Sequence, residues 1–191
     1  FGSGLSKISL LSEVAKRKTP VSGELDKISA AAKELLLKMG EIVWALNYHN
    51  DTLPSLAAYI RRYAGGFFED SGIRCFFDIP ELPAVHLSGE QRRNVFLVVK
   101  ETLHNTLKHA EAGKVNINFV LDHNTLEIRI QDNGKGFDAS ALEKAGNGLL
   151  NMERRMDASG GSYEVSSTPG TGAITRIRLP LERAEAMVMA A

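Results

Sequence analysis

The stretch VNINFVLDHNTLEIRIQDNGKG, residues 115–136, decides the fold class of this chain. Apolar and polar residues alternate over Val115–Leu121 and again over Leu126–Ile130, the pattern of two half-buried strands. Residues 122–124, Asp-His-Asn, are turn formers, so the two strands are predicted to be antiparallel neighbours. A glycine-rich segment follows the second strand directly, so a glycine-rich loop is predicted at one end of the sheet.

Outward from this hairpin, the pattern predicts further strands and separate helices. Hairpin strands combined with separate helices indicate an α+β layer sandwich, with helices on one face of a mixed sheet. The predicted helices are 53–68, 89–110 and 149–158, and the other predicted strands are 73–79, 163–167 and 173–179.

The first fifty residues carry a different pattern, a narrow apolar seam at an average spacing of 3.5 residues. Together with a shorter helix before Pro20, the seam predicts a helical hairpin, and two copies are expected to pair as a four-helix bundle. The alternative is that the hairpin packs on the domain that follows it. The seam residues are Leu25, Ile28, Ala32, Leu35, Met39, Ile42 and Leu46.

Composition excludes several classes of protein. The 23 basic residues balance 23 acidic residues, which argues against nucleic acid as the main ligand because neutralising phosphates needs a basic excess. The single cysteine, Cys75, excludes an internal disulfide framework and a cysteine-cluster metal site. No uncharged run approaches the ~18 residues of a membrane span. The missing initiator methionine suggests a fragment, which leaves a membrane-anchored parent open.

The predicted helix 89–110 carries a candidate functional face. Glu101 and Asn105 are four residues apart, so they share one face with Lys108. The opposite stripe is predicted to face the core and consists of Val95, Val98, Val99, Thr102, Leu103 and Leu107. An acid, an amide oxygen and an ammonium along one line suit a hydrated Mg²⁺ and its phosphates. The alternative is an ordinary solvated polar face.

Two glycine-rich segments add to this face. Asp132, Gly134 and Gly136 follow a strand, where glycines let the backbone approach a planar ligand and a carboxylate accepts from an exocyclic amine. Gly146 and Gly148 lead into a helix N-terminus, a phosphate cradle. The spacing is that of neither a Walker loop nor a Rossmann fingerprint. For the first segment, a plain Asp-Asn-Gly turn is the alternative.

In this order, the three pieces resemble the ATP-binding domain of the GHKL superfamily, which includes sensor histidine kinases, type II topoisomerases, mismatch-repair ATPases and heat-shock chaperone ATPases. Residues 101–110 are similar to the N box of two-component histidine kinases with short ATP lids. Residues 39–47 are similar to the second dimerisation helix of the same kinases. The resemblance covers roughly Leu53 to Leu181 and implies a Bergerat-type α/β sandwich after the helical arm.

The resemblance also implies roles for individual residues. Glu101 and Asn105 are implied to be the catalytic and metal-binding residues, Asn105 as a Mg²⁺ ligand and Glu101 as the acidic residue that helps to place metal or water. Lys108 and His109 are implied to lie near the phosphates. Asp132 is implied to bind the adenine amino group. The remaining nucleotide-binding positions are Gly134 and Gly136, which shape the adenine pocket, and Gly146, Gly148 and Leu149 at the lid.

One position departs from the family pattern. The family carries Gly-Thr before its last strand, whereas this chain has Gly172-Ala173 there. The hydroxyl is absent unless Thr171 or Thr175 replaces it through a shift. Losing one neutral hydrogen bond would weaken adenine binding by roughly 0.5–1.5 kcal/mol.

These features predict the catalytic core of a two-component sensor histidine kinase, with ATP and Mg²⁺ as its ligands. Phosphoryl transfer would run from ATP to a histidine and then to an aspartate of a response regulator receiver domain. The chain is expected to begin just past its phosphoacceptor and therefore not to phosphorylate itself. It is expected to be a homodimer and the cytoplasmic portion of a membrane-anchored bacterial sensor. The predicted parts are the arm 1–50, the ATP-binding domain 51–181 and a tail 182–191.

Two alternatives from other classes stay open. The chain could act as a dimerisation and signal-relay module with a degenerate nucleotide pocket, which Ala173 and the short lid would suit. It could also be another GHKL ATPase or a protein-serine kinase, although those relatives lack the helical hairpin.

Overall fold

The structure, a computed structural model, describes residues 51–138 and 147–181. In the arm it describes seven positions, all of them helical: Ile28, Ala31, Ala32, Leu35, Met39, Gly40 and Trp44. The chain divides into two compact units, Phe1–Tyr48 and His49–Ala191. The predicted hairpin connection of the arm and the predicted tail lie outside the described residues.

A five-stranded mixed sheet is the framework of the second unit. Its strands are β1 (Arg74–Asp78), β2 (Lys114–Asp122), β3 (Thr125–Asp132), β4 (Ser162–Ser167) and β5 (Ala173–Pro180). The spatial order is β1-β2-β3-β5-β4, with β1 and β2 parallel and the other neighbours antiparallel. The predicted hairpin is therefore confirmed as β2 and β3, and the α+β class with a mixed sheet is confirmed with it.

Three α-helices accompany this sheet in the described ranges: α1 (Leu53–Phe67), α2 (Gly89–Asn105) and α3 (Asn147–Ala158). Thr52 caps α1, and Pro54 lies in its first turn. The N–H that proline lacks would have no partner within the helix at this position, so no hydrogen bond is lost. Ser88 and Gln91 form a reciprocal capping box at the start of α2. The α2 helix packs against both α1 and α3, so it lies centrally in the helical layer.

The core lies between the helical layer and one face of the sheet. Along β2 and β3, buried residues alternate with half-buried ones, as the period of a strand requires. The α2 helix contributes a stripe of fully buried residues to the same core. The main buried residues are Val95, Val98, Val99 and Leu103 from α2, Ile117, Ile128 and Ile130 from the central strands, and Ile177 and Leu179 from β5.

The end of the long helix differs from the sequence prediction. A continuous α-helix to Ala110 was expected to turn Leu107 toward the core, but residues Thr106–Ala110 form one π-helical turn. The wider turn bonds residues five apart and changes the direction of each side chain. Thr106 is buried instead, and Leu107 is 42% exposed.

Candidate functional site

A cavity of about 460 Å³ opens within the second unit. Its volume falls within the usual ~300–1,000 Å³ range of small-molecule sites. The end of α2, the π turn, the start of α3 and the strands β3, β4 and β5 contribute its walls. The lining residues are Thr102, Asn105, Thr106, His109, Ala110, Ile130, Asp132, Gly136, Phe137, Gly148, Leu149, Tyr163, Val165, Ala173 and Thr175.

Asp132 is the one carboxylate among these lining residues, and it is only 6% exposed. Its Oδ1 accepts hydrogen bonds from the backbone N–H of Gly134 (2.9 Å) and of Ala173 (3.3 Å). Oδ1 is the acceptor of both hydrogen bonds that this side chain receives from the described residues. The carboxylate is thus oriented by the backbone, while Oδ2 can accept from a ligand.

Glycines allow the loops around Asp132 to pack closely. A Cβ on Gly134 would lie 2.2 Å from the carbonyl oxygen of Ala110, next to the bond from the Lys135 N–H to that oxygen (2.7 Å). Gly172 has a φ of +80°, and a Cβ there would lie 2.2 Å from the backbone oxygen of Asp132. These contacts fix the loop ends against each other and against the π turn.

The four residues predicted to lie near the metal and the phosphates do not all line the cavity. Asn105 and His109 line the cavity, whereas Glu101 and Lys108 are exposed and do not line it. Glu101 is nevertheless close to the start of α3, since a Cβ on Gly148 would lie 3.9 Å from its Oε1. The π turn brings His109 rather than Lys108 into the cavity wall.

The donor set fits a hydrated magnesium ion held partly by a nucleotide. No group of three or more His, Cys, Asp or Glu side chains that could hold a metal occurs among the described residues. Mg²⁺ does not need such a cage, because it keeps several waters and takes only one or two protein oxygens beside substrate phosphates. Asn105 offers one amide oxygen in the cavity wall.

Four hydroxyl-bearing residues line the cavity, Thr102 and Thr106 on the helical side and Tyr163 and Thr175 on the strands. Burial raises the pKa of Tyr163 to about 12, while a hydrogen bond with Thr175 lowers it and the charge of Glu101 raises it. Thr171 instead donates to the carbonyl oxygen of Thr168 within an exposed turn (2.9 Å). Of the two threonines that the sequence left open, Thr175 is the one in the cavity.

Of the remaining predicted glycine positions, Gly136 and Gly148 line the cavity together with Leu149. Gly134 is not among the lining residues, and its N–H donates to the Asp132 carboxylate. Gly146 lies outside the described residues. Some inward positions of β3 and of the edge strand β4 were not selected from the sequence as site residues, because alternation marks them only as core. These additional lining residues are Ile130, Tyr163 and Val165.

The family described as histidine kinase-, DNA gyrase B-, and HSP90-like ATPase matches residues 90–183 of this chain. This range contains the candidate site residues described above. In the described parts of the chain, no helix combines the length and apolar character that crossing a membrane requires.

Several sensor kinases are similar in sequence. An uncharacterized sensor-like histidine kinase of Chloroflexus aurantiacus is 29% identical over 166 residues, which are 83% of this chain and 28% of that protein. The sensor protein VraS of Staphylococcus haemolyticus is 33% identical over 90 residues, 47% of this chain and 26% of that protein. The sensor histidine kinase LiaS of Bacillus subtilis is 32% identical over 88 residues, 46% of this chain and 24% of that protein. The chain thus spans about a quarter of the length of these curated relatives.

Two solved structures share the fold. The histidine kinase domain of the Erythrobacter litoralis EL346 blue-light activated histidine kinase has a TM-score of 0.61 at 20% identity and covers 94% of this chain and 92% of that chain. The Acinetobacter baumannii histidine kinase AdeS has a TM-score of 0.61 at 17% identity and covers 95% of each chain. At these identities the likeness establishes the fold alone.

Proposed function

Because residues 90–183 belong to the histidine kinase-, DNA gyrase B-, and HSP90-like ATPases, we propose that this chain binds Mg-ATP in the cavity beside Asp132. We further propose that it is the catalytic core of a two-component sensor histidine kinase. The whole protein would move the terminal phosphoryl group of ATP to a histidine and then to an aspartate of a response regulator. The described domain would bind the nucleotide for this transfer, and it would belong to the cytoplasmic portion of a membrane-anchored sensor.

One observation carries the proposal, the backbone-oriented carboxylate of Asp132 in a mostly apolar cavity. A planar base can enter between Ile130, Val165 and Leu149, which contribute apolar surface. An ionised carboxylate only accepts hydrogen bonds, so it matches the exocyclic amine of adenine. Such a charge-assisted bond is stronger than a neutral one, which favours a base that carries an amine.

The phosphate end would lie toward α2 and the start of α3. Asn105 would hold Mg²⁺ through its amide oxygen, and the metal would supply charge neutralisation on the phosphates. His109 lines the cavity and would supply an N–H group there, and the exposed Lys108 of the same π turn would approach the phosphates from outside the cavity wall. Glu101 would orient a metal-bound water or the incoming acceptor. Catalysis would then rest on positioning and on charge neutralisation.

The helical arm would supply the dimer. Two of its predicted seam residues, Ile28 and Leu35, are 47% and 49% exposed in a single chain. Exposed apolar residues at seam spacing favour a second copy of the arm as their partner. A response regulator receiver domain would be the transient partner of the same parent protein.

Asp132→Asn tests the nucleotide proposal. The amide oxygen of asparagine can keep the two bonds from Gly134 and Ala173, while its NH₂ group would face the adenine amine, donor against donor. We expect ATP affinity to fall by roughly 10- to 100-fold, the value of a charged hydrogen bond. Calorimetric titration with a non-hydrolysable ATP analogue and Mg²⁺ measures this.

The matched control is Asp122→Asn, because Asp122 is an exposed residue at the opposite end of the hairpin. It should keep wild-type affinity, and both variants should melt like the wild type. Unchanged affinity in Asp132→Asn would reject the proposed site. A wild-type protein that binds no nucleotide but remains dimeric would support the signal-relay alternative instead.

A further inference from the structure

The sheet has a second face, on the side away from the helical layer, which we call the open face. Along each strand, the side chains that alternate with the core residues point to this face. The outward positions of the five strands are all half-buried or exposed. The cavity beside Asp132 is lined by inward positions, so the open face is separate from the proposed nucleotide site. Its central residues are Asn118 and Val120 on β2, Glu127 and Arg129 on β3, and Arg176 and Arg178 on β5.

Two arginines lie opposite each other in the middle of the open face. The sheet register pairs Arg129 with Arg176, so their Cβ atoms are about 5 Å apart and the side chains lie next to each other. Like charges directly opposite in an antiparallel pair are destabilising. Arg176 is partly compensated, because its Nη1 lies 3.6 Å from Oε1 of Glu164 and donates to the Ser166 hydroxyl (3.3 Å). The uncompensated charge of the pair is therefore that of Arg129.

Arg129 has no comparable partner in the part of the chain that the structure describes. Its Nε is buried without a hydrogen bond, and the ion pairs that arginines form on this face belong to Arg176 and Arg178. Glu127, two residues before it on the same face, is already bound by Nε of Arg178 (2.7 Å). The residue opposite on β2, Asn118, donates its amide to Asp78 instead (3.2 Å). A buried N–H without a partner is costly, so this one calls for an explanation.

Apolar side chains lie on the β1 side of Arg129. Val120 is its diagonal neighbour on β2 and is 47% exposed. Phe76, on the adjacent edge strand, is 46% exposed. Exposed apolar side chains beside polar ones are typical of surfaces that bind another protein. The open face thus combines an unpaired guanidinium with apolar surface close to it.

The charges of the open face limit the kind of anion that fits. A polyanion such as nucleic acid would be repelled by the acidic residues of the same face. A single carboxylate can instead approach the guanidinium, whose planar fork matches it with two parallel hydrogen bonds. The outward acidic residues of the face are Asp78, Asp122, Glu127 and Glu164.

We propose that the open face binds an acidic segment of a partner protein. An aspartate or glutamate of the partner binds Arg129 and Arg176, and an apolar side chain beside that acid packs on Val120 and Phe76. Charge complementarity supports this occupant, because one carboxylate would neutralise the repulsion between two adjacent arginines and give the unpaired one a partner. The inference goes beyond the proposed function and does not depend on nucleotide binding.

Thermal unfolding tests whether Arg129 is kept for binding or for stability. Arg129→Gln removes one of two facing charges, so we expect the variant to unfold at the wild-type temperature or above it. Arg178→Gln removes bonds to Glu127 (2.7 Å) and Glu164 (3.1 Å) and should unfold at a lower temperature. An equal fall in both variants would make Arg129 a structural residue and overturn the inference.

Binding is measured with peptides that the full chain selects from a display library of short random sequences. The wild type should enrich peptides that carry Asp or Glu next to an apolar residue. By fluorescence anisotropy, these peptides should bind Arg129→Gln at least roughly tenfold more weakly, the value of a charged hydrogen bond. Arg93→Gln is the matched control, since Arg93 is exposed on α2 in the helical layer, and it should bind like the wild type. ATP affinity should be unchanged in Arg129→Gln.

Several results would overturn the inference. They are a selection that enriches no peptide, enriched peptides without an acid, and equal affinity of the peptides for Arg129→Gln and the wild type. Displacement of the peptides by inorganic phosphate at the same concentration would indicate a small-anion site instead. A halved mass of Arg129→Gln in light scattering would make a second copy of the chain the occupant.

Discussion

Asp132 is held in place by backbone atoms from two chain segments that are far apart in sequence. Its own loop supplies the Gly134 N–H, and the start of β5 supplies the Ala173 N–H. Gly172 makes this possible, because any side chain there would collide with the backbone of Asp132. The position of the carboxylate thus depends on a residue that touches no ligand.

Gly172→Ala should therefore impair nucleotide binding, and Gly170→Ala is its matched control. Both glycines have positive φ values, +80° and +84°, so both variants should lose about 1–2 kcal/mol of folding free energy. A Cβ on Gly172 would also lie 2.2 Å from the Asp132 backbone oxygen, whereas nothing lies within 4 Å of a Cβ on Gly170, so Gly172→Ala should lose more folding free energy than Gly170→Ala. We expect ATP affinity to fall at least tenfold in Gly172→Ala alone.

Thermal unfolding and ATP titration of both variants measure these effects. If the two variants bound ATP equally well, the close approach of Gly172 would not be what positions Asp132. If both unfolded at the same temperature, the predicted collision would be absent.

Among the secondary structure elements, the π turn after α2 does most to shape the site. It follows the polar residues of α2 and brings His109 and Ala110 to the cavity wall, while the Ala110 carbonyl accepts from the Lys135 N–H. The same turn places Leu107 at the surface. The π turn thus connects the helical layer to the loop that carries Asp132.

The change of direction at the π turn predicts different stability effects for two leucines four residues apart. Leu103→Ala removes a fully buried side chain and should lower the free energy of unfolding by about 2–5 kcal/mol. Leu107→Ala changes a side chain that is 42% exposed and should cost roughly 0.5 kcal/mol or less. Urea denaturation measures both, and equal losses would mean that the helix continues as an α-helix through Leu107.

For the whole molecule, the proposed dimer depends on the apolar seam of the arm. The described residues of the arm include buried Ala32 and exposed Ile28 and Leu35, all at predicted seam positions. A hairpin of this size buries little apolar surface alone, so pairing with a second copy would remove these side chains from water.

Leu35→Asp should dissociate the proposed dimer, because it would place an unpaired charge in the seam. Val120→Asp is the matched control, since Val120 is 47% exposed and lies in the second unit, while Leu35 is 49% exposed in the arm. Light scattering should give a monomer mass for Leu35→Asp and a dimer mass for Val120→Asp and the wild type. A dimer mass for all three proteins would reject the arm as the interface.

The sequence by itself determined the elements whose signals are local. Strand alternation in 115–130, turn chemistry at 122–124 and the start of the helix at residue 89 are set by neighbours along the chain, and the structure has these elements where they were predicted. The motif order also predicted that Asp132 and Asn105 belong to one site, and both line the cavity.

Only the tertiary structure decided which residues meet in the cavity. The position of Thr175 opposite Val165 in the cavity wall depends on the pairing of β4 with β5, and alternation alone cannot distinguish a cavity wall from a core. The π turn, likewise, left no signal in the apolar spacing, so Leu107 was wrongly assigned to the core. Both depend on contacts between segments distant in sequence, which fix side-chain directions only after the chain has packed.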